Sequence, residues 1–360
     1  MASDLQQATV DLGPRVQRRA RRSGSSSCGR SGVGAPGLGQ TALVDERAST
    51  TPDPADEFRH AHDGTELWNE SYYLDFFAED LSLGGYLRIG LYPNLNRVWY
   101  WACLVGPDRP LVTVIDHDVP LPSSGRSLEI RHDGLWADHV VETPNEHMSV
   151  NLEAFALQLD DPQDVYGDAR GERVPFGFEL DFLTDRAAYL WPPVTPRYEI
   201  PCRVEGEILI GDERIRFDGW GQRDHSWGAA RDWWANQWSW TAARLDDGTR
   251  WHGVGGLIPG IDWGVAYRLD PADDVFVESD QVTLAVTEAA DRLPQRTRIG
   301  SCGLDLDFEP LAYSPVLLVH PDGREARFPR AMARVTDADG RTGGGWIEWN
   351  QPPTGARLPD

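Results

Sequence analysis

One local pattern recurs through the second half of the chain: a short alternating apolar stretch, a tight turn containing glycine, and a second alternating stretch. It reads RVEGEILI-GDE-RIRFDGW from residue 203, QWSWTAARL-DDG-TRWHGVGGL from 237, PVLLVH-PDG-REARF from 315 and AMARVTD-ADG-RTGGGWIEW from 331. Period-two alternation places successive side chains on opposite faces of a strand, and Asp-Gly is a preferred hairpin turn. The first half is similar, with GGYLRIGLY, VWYWACLV, LVTVIDHD and MSVNLEAFALQLD all strand-like. Few windows show helical spacing. A run of hairpins makes an antiparallel meander, which must close into barrels or stack as sandwiches to hide its edges. The expected fold class is therefore all-β. The 360 residues exceed what one barrel of about eight strands needs. The Pro-rich LWPPVTPRY, residues 190–198, is the natural connector. This gives two tandem antiparallel barrels, residues 56–192 and 193–355, or else one sandwich with a long loop there. A small barrel can enclose one mostly apolar ligand.

Residues 1–55 read differently. RVQRRARRSGSSSCGRSGVGAPGLG has no apolar periodicity and cannot bury enough surface to offset its ordering entropy. It is expected to be a disordered tail, either native or translated from an early start codon. Arg18, Arg19, Arg21 and Arg22 are not followed by an apolar segment, so a twin-arginine signal does not fit. The chain carries a net charge of −23, which repels phosphates and argues against nucleic acid or anionic lipid as partners. No apolar run is long enough to span a bilayer. Cys28, Cys103, Cys202 and Cys302 are scattered without metal-type pairing, which suggests free thiols and a cytoplasmic setting. All 34 basic residues are arginine, so neither a Schiff-base lysine nor a phosphate loop ending in Gly-Lys-Ser/Thr is available. No cofactor motif is present, and the sequence carries no signal for an oligomeric state.

The densest chemistry is GWGQRDHSWGAARDWWANQWSW, residues 219–240, which holds six of the 15 tryptophans. Strand alternation puts Trp220, Gln222, Asp224 and Ser226 on one face and Arg223, His225 and Trp227 on the other. Asp224 and His225 then share a cavity only if the strand bulges, which Gly219, Gly221 and Gly228 would permit. The two residues either serve catalysis or bracket a bend. Trp234, Asn236, Trp238 and Trp240 share one face, for packing or for ligand contact. Glu70, in an aromatic strand, is either buried against a partner such as an arginine or solvated. Glu348, between Trp346 and Trp349, has the same two readings. His60 and His62 in RHAHDG, and the acids around His117 in IDHDV, lack a clustered third ligand, so no metal site is expected.

WNESYYLDFF, residues 68–77, resembles the Glu-Trp-Trp-Tyr-Phe segment of the carotenoid 1,2-hydratase/AttH-like lipocalin-related family. GQRDHSWG, residues 221–228, resembles its Tyr-His-Asp-His-Asn-Trp-Gly segment, and GGGWIEWNQ, residues 343–351, its closing strand. The resemblance spans roughly residues 58–352. It implies that the two barrels are lipocalin-like. It also implies a cofactor-free hydratase (a lyase), isomerase or cyclase acting on an apolar isoprenoid, steroid or polyketide alkene. The alternative is a non-catalytic carrier of such a hydrophobic small molecule.

Water addition to an alkene needs a proton donor, a surface that tolerates a carbocation, and a positioned water. Asp224 is the expected donor, with His225 orienting water or fixing the bend. A buried carboxyl becomes a neutral acid through desolvation, and aromatic faces stabilise a cation by about 0.5–2 kcal/mol per contact. The expected ligand contacts are Trp68, Glu70, Tyr73, Arg223, Trp227, Trp238, Trp240 and Glu348.

Overall fold

The computed structural model describes residues 52–353, except 123–126, 168, 194, 229–232, 236, 257–261, 289–292 and 321. The expected tail up to residue 51, Cys28 and Asn236 lie outside the described residues, which belong to one compact unit. The fold is all-β and antiparallel, as the alternation indicates, and the helical pieces among the described residues are short 3₁₀ turns.

The first sheet comprises β1 (Asn69–Ala78), β2 (Gly84–Tyr92), β3 (Arg97–Gly106), β4 (Arg109–Val119), β5 (Ile130–His132), β6 (Leu135–Thr143), β7 (His147–Leu159), β8 (Glu172–Thr184), β9 (Tyr189–Leu190), β10 (Arg197–Ile210) and β11 (Glu213–Gly228). Its order is β4-β3-β2-β1-β11-β10-β8-β7-β6-β5, with β9 beside β10. Pairing of Leu111 with Leu159 and of Thr113 with Leu157 joins β4 back to β7 and closes a ring. The second sheet comprises β12 (Trp238–Leu245), β13 (Arg250–Gly256), β14 (Gly264–Leu269), β15 (Phe276–Ser279), β16 (Thr283–Glu288), β17 (Pro294–Ser301), β18 (Leu304–Tyr313), β21 (Arg330–Asp337) and β22 (Thr342–Asn350). Its order, β15-β14-β13-β12-β22-β21-β18-β17-β16, is that of an open half-barrel. A hairpin of β19 (Val316–Val319) and β20 (Glu325–Phe328) stands apart.

The hydrogen-bonded sheets change over between Gly228 and Trp238, not at residues 192–193. The Pro-rich segment does not separate barrels. It leads from β9 into β10 of the same sheet. The reason is non-local: β11 completes the ring by pairing with β1, from Asn69↔Gly228 to Ala78↔Gly219.

Burial explains the composition of the strands. In β7 it alternates, one face in the barrel and one toward solvent. β1 and β2 are buried on almost every residue, because their outer face packs on the second sheet. Leu74, Phe76, Leu87, Ile89 and Tyr100 fill the barrel. Tyr73, Phe77, Tyr86 and Trp101 face outward onto Trp240, Phe328, Met332 and Trp346. Gly344 permits this approach, since a Cβ there would sit 2.3 Å from Leu81 Cδ2 and 2.9 Å from the Phe77 ring.

Candidate active site between the sheets

β11 pairs with β1 without a register shift over residues 219–228, so strict alternation survives. Asp224 and His225 face opposite sides, and the bulge that would have brought them together does not form. Arg223 and Asp224 do not pair with each other either. Each has its own partner on its own face.

On the barrel face, Arg223 grips Glu57, with Nη1 3.0 Å from Oε2 and Nη2 2.8 Å from Oε1. The Tyr198 hydroxyl and the Asn145 backbone N–H also donate to Glu57, at 2.7 and 2.8 Å. Burial alone would raise the Glu57 pKa, but Arg223 and these donors outweigh it and hold it below the ordinary value. Beside this pair, Glu70 meets two imidazoles rather than an arginine. His60 Nδ1 lies 2.8 Å and His225 Nε2 3.1 Å from Glu70 Oε1. Burial again acts to raise the Glu70 pKa, and the two histidines reverse it. Tyr72 stacks on His225 at 3.9 Å and Trp227 on His60 at 3.8 Å. The three potential ligand atoms lie within 4.8 Å of one another. Trp68 is buried at the entry to β1, with His62 as a ring neighbour.

The opposite face of β11 looks onto the second sheet. Asp224 Oδ2 is 2.6 Å from Arg197 Nη2, and Arg197 also reaches Glu199 at 2.6 Å. Glu199, wholly buried, further accepts from Gln222 Nε2 at 2.9 Å and Trp240 Nε1 at 3.2 Å. Burial raises its pKa despite Arg197. His252 Nδ1 is 3.0 Å from the Thr241 carbonyl, and its Nε2 lies 3.4 Å from Glu199. Burial, then the Arg197 charge, push the His252 pKa well below the ordinary histidine value and keep the ring neutral. Arg330, also wholly buried, pairs with Glu348. Its guanidinium lies 3.5 Å from the Tyr86 ring centroid and 4.6 Å from that of Tyr73. Tyr73 meets Trp240 edge-on at 5.1 Å.

Asp75 differs from the other acids here. Asp224 and Glu199 touch Arg197, and Glu348 touches Arg330. Asp75 has no arginine within salt-bridge distance among the described residues. Its Oδ1 accepts the Gln222 backbone N–H at 3.1 Å, while its Oδ2 is buried without a hydrogen-bond partner. Burial, and next the negative charge of Glu348, push its pKa well above the carboxylate range, against weaker opposition from Gln222 and Tyr73. Burial thus favours the protonated form of Asp75. The Tyr73 hydroxyl beside it is buried without hydrogen-bond geometry to any partner. Burial raises the Tyr73 pKa well above its ordinary value.

An outer groove of about 390 Å³ borders this layer, lined by Thr113, Ile115, His117, Phe155 and Leu157 among others. His117 connects the two, because Trp101 Nε1 donates to its Nε2 at 2.7 Å. Burial lowers the His117 pKa to about 4, so the ring is a neutral acceptor.

Of the residues singled out in the sequence, Asp224, Tyr73, Trp240 and Glu348 converge between the sheets, with Trp238 half-buried at the edge against Trp233 and Phe328. Glu70, Arg223, His225 and Trp227 gather on the barrel face. The sequence reading missed Glu57, Asp75, Arg197, Glu199, His252 and Arg330. Only Asp75 carried a legible signal, an acid two residues from Tyr73 on the same face of an aromatic strand.

A family model described as a domain of unknown function, DUF7064, matches residues 53–353. The chain belongs to this family. No curated protein sequence matches it. Among solved structures, it resembles a provisional AttH of Nitrosomonas europaea with a TM-score of 0.55 and 14% identity, over 86% of this chain and 99% of that one. CghA bound to Sch210972 aligns with a TM-score of 0.52 and 11% identity, over 86% and 97% of the two chains. Kievitone hydratase of Nectria haematococca gives 0.52 and 11% over 85% and 97%. The DUF7064 chain therefore has the fold of the AttH-like protein, CghA and kievitone hydratase. Among its described residues, no helix is long and apolar enough to cross a membrane.

Proposed function

We propose that this DUF7064 protein is a hydratase-type enzyme that adds water to, or isomerises, an alkene of an apolar isoprenoid, steroid or polyketide, using side chains alone as acid and base. The observation that carries this reading is Asp75, buried among aromatic faces between the sheets with no arginine in contact and its Oδ2 without a hydrogen-bond partner, where burial raises its pKa. Buried polar atoms are nearly always paired, so the Asp75 Oδ2 and the adjoining Tyr73 hydroxyl, which lack hydrogen-bond geometry and affect each other only weakly, suit a guest with a polar or unsaturated group. The hydratase and CghA folds support the reaction class.

Asp75 donates its proton to one alkene carbon, leaving a cation on the other. The rings of Tyr73 and Trp240 face that charge. Water adds to the cation, and its surplus proton returns to Asp75, so no proton is consumed. His252, neutral and with Nε2 open, is placed to hold the water. Asp224 takes a different part from the one expected of it: it fixes Arg197, which orients Glu199. The test is incubation with a panel of terpenoid, steroid and polyketide alkenes in deuterated water, read as mass gain. Gain that disappears in Asp75→Asn but survives in Asp224→Asn supports the assignment. Equal gain in wild type and Asp75→Asn sinks it. A co-purifying ligand seen by native mass spectrometry, with no exchange across the panel, identifies a carrier instead.

A further inference from the structure

The His60–Glu70–His225 cluster lies on the barrel face of β11, away from the inter-sheet acids, and the alkene chemistry does not use it. Its three side chains come from distant parts of the sequence. Glu70 and His225 sit on paired strands, where Tyr72 is opposite His225 and Glu70 is opposite Trp227. His60 arrives on the segment before β1. Glu57 anchors that segment through Arg223, Tyr198 and Asn145, which sets His60 at the rim of the barrel.

The hydrogen-bond count poses a problem that protons solve poorly. His225 Nε2 faces Glu70 Oε1 at 3.1 Å and its Nδ1 faces the Asp56 carbonyl at 2.7 Å. His60 Nδ1 faces the same Glu70 oxygen at 2.8 Å and its Nε2 faces Asp56 Oδ1 at 3.4 Å. All four ring nitrogens point at oxygen acceptors, but a neutral imidazole has only one N–H. Satisfying every contact with protons would require two imidazolium rings side by side, with centroids 5.5 Å apart. One dication between His60 Nδ1, His225 Nε2 and Glu70 supplies the same charge. It leaves each imidazole neutral, with its remaining N–H on Asp56. An outer nitrogen held by a carbonyl or carboxylate is the usual arrangement around metal-bound histidine. Stacking by Tyr72 and Trp227 fixes both ring planes.

We propose that His60, Glu70 and His225 form a binding site for one divalent transition-metal ion. Two imidazoles and a carboxylate are a zinc-type donor set, with room for a further ligand on the His60 side, where that side chain is 22% exposed. The ion would tie the segment carrying Glu57 and His60 to β1 and β11, pinning the chain across the barrel mouth. The ion and protons compete for the ring nitrogens, so affinity should fall with falling pH.

The test uses the untagged full chain, stripped with a chelator and titrated with Co²⁺, then with Zn²⁺ by calorimetry. The expected result is saturation at one Co²⁺ per chain, with the visible d–d absorption of a low-coordinate site, displacement by Zn²⁺, and a higher melting temperature. His60→Gln, at the rim and not in the core, should weaken binding by about tenfold or more while the stripped protein melts near the stripped wild type. Glu70→Gln should do the same, and His62→Gln should bind like wild type. Absence of saturable Co²⁺ or Zn²⁺ uptake by the wild type overturns the proposal, as does undiminished binding by His60→Gln.

Discussion

On the barrel face of β11, Arg223 and His225 reach carboxylates whose pKa values their partners hold down. On the other face, the strand's own backbone at Gln222 touches Asp75, whose pKa burial pushes well up. Both environments are dry, and desolvation acts in the same direction on each acid. The difference is whether a cation lies within contact distance. The comparison teaches that burial alone does not mark a working acid in this fold, because Glu57 is as buried as Asp75. Glu199 keeps a raised pKa even with Arg197 in contact, and Asp75, which faces no arginine or histidine, is raised well above its ordinary value.

The largest test of this contrast is Asp75→Asn. Turnover per folded molecule should fall by about 10²–10⁴, read by deuterium incorporation, while Arg223→Met leaves it unchanged. Next comes stability on the barrel face. Arg223→Met strands the Glu57 carboxylate in the barrel and should cost about 3–5 kcal/mol in urea unfolding.

The same Asp75→Asn variant should behave in the opposite way. A group whose folded pKa is raised holds its proton in the native state after the unfolded chain has lost it. Its contribution is therefore complete below the ordinary aspartate value and is lost as pH rises toward the folded value. Asp75→Asn should match wild type in strong acid. It should then gain on wild type with rising pH, by up to about 1.4 kcal/mol per pH unit, in unfolding curves collected across that window. A variant that loses activity while gaining stability at neutral pH would distinguish a reacting acid from a structural one. The smallest effect belongs to an exposed control. Arg109 makes two hydrogen bonds to Glu213, at 2.9 and 2.6 Å, yet Arg109→Ala should cost under about 1 kcal/mol, since solvent screens the pair.

The strands were legible because alternation and turn residues are local. The turn at Asp246–Gly248 and the doubled face of β11 both follow from the residues themselves. The place where one sheet gives way to the next was not legible. Prolines around residue 192 mark a change of direction, but whether β10 pairs backward or forward depends on β1, far away in sequence. The site divides along the same line. Alternation separated Asp224 from His225 correctly, but nothing near Asp224 announces Arg197 as its partner. Glu70 and Asp75 look alike in WNESYYLDFF. Their odd spacing puts them on opposite faces, and only the packed neighbours decide which meets histidines and which meets none.

The seam between β1 and β11 has a consequence for the ribosome. Asn69 pairs with Gly228, so the 150 residues from 79 to 228 are made after β1 before its partner is complete. At roughly 5–20 residues per second, the nascent chain waits on the order of ten to thirty seconds with one lateral edge of β1 unzipped. Throughout that interval, the edge of a strand that ends up buried on almost every residue is open to neighbouring chains. Rare codons or a stall before Gly228 would lengthen the wait. Yield from a cell would then depend on elongation speed across β10 and β11 more than on the strength of the finished fold.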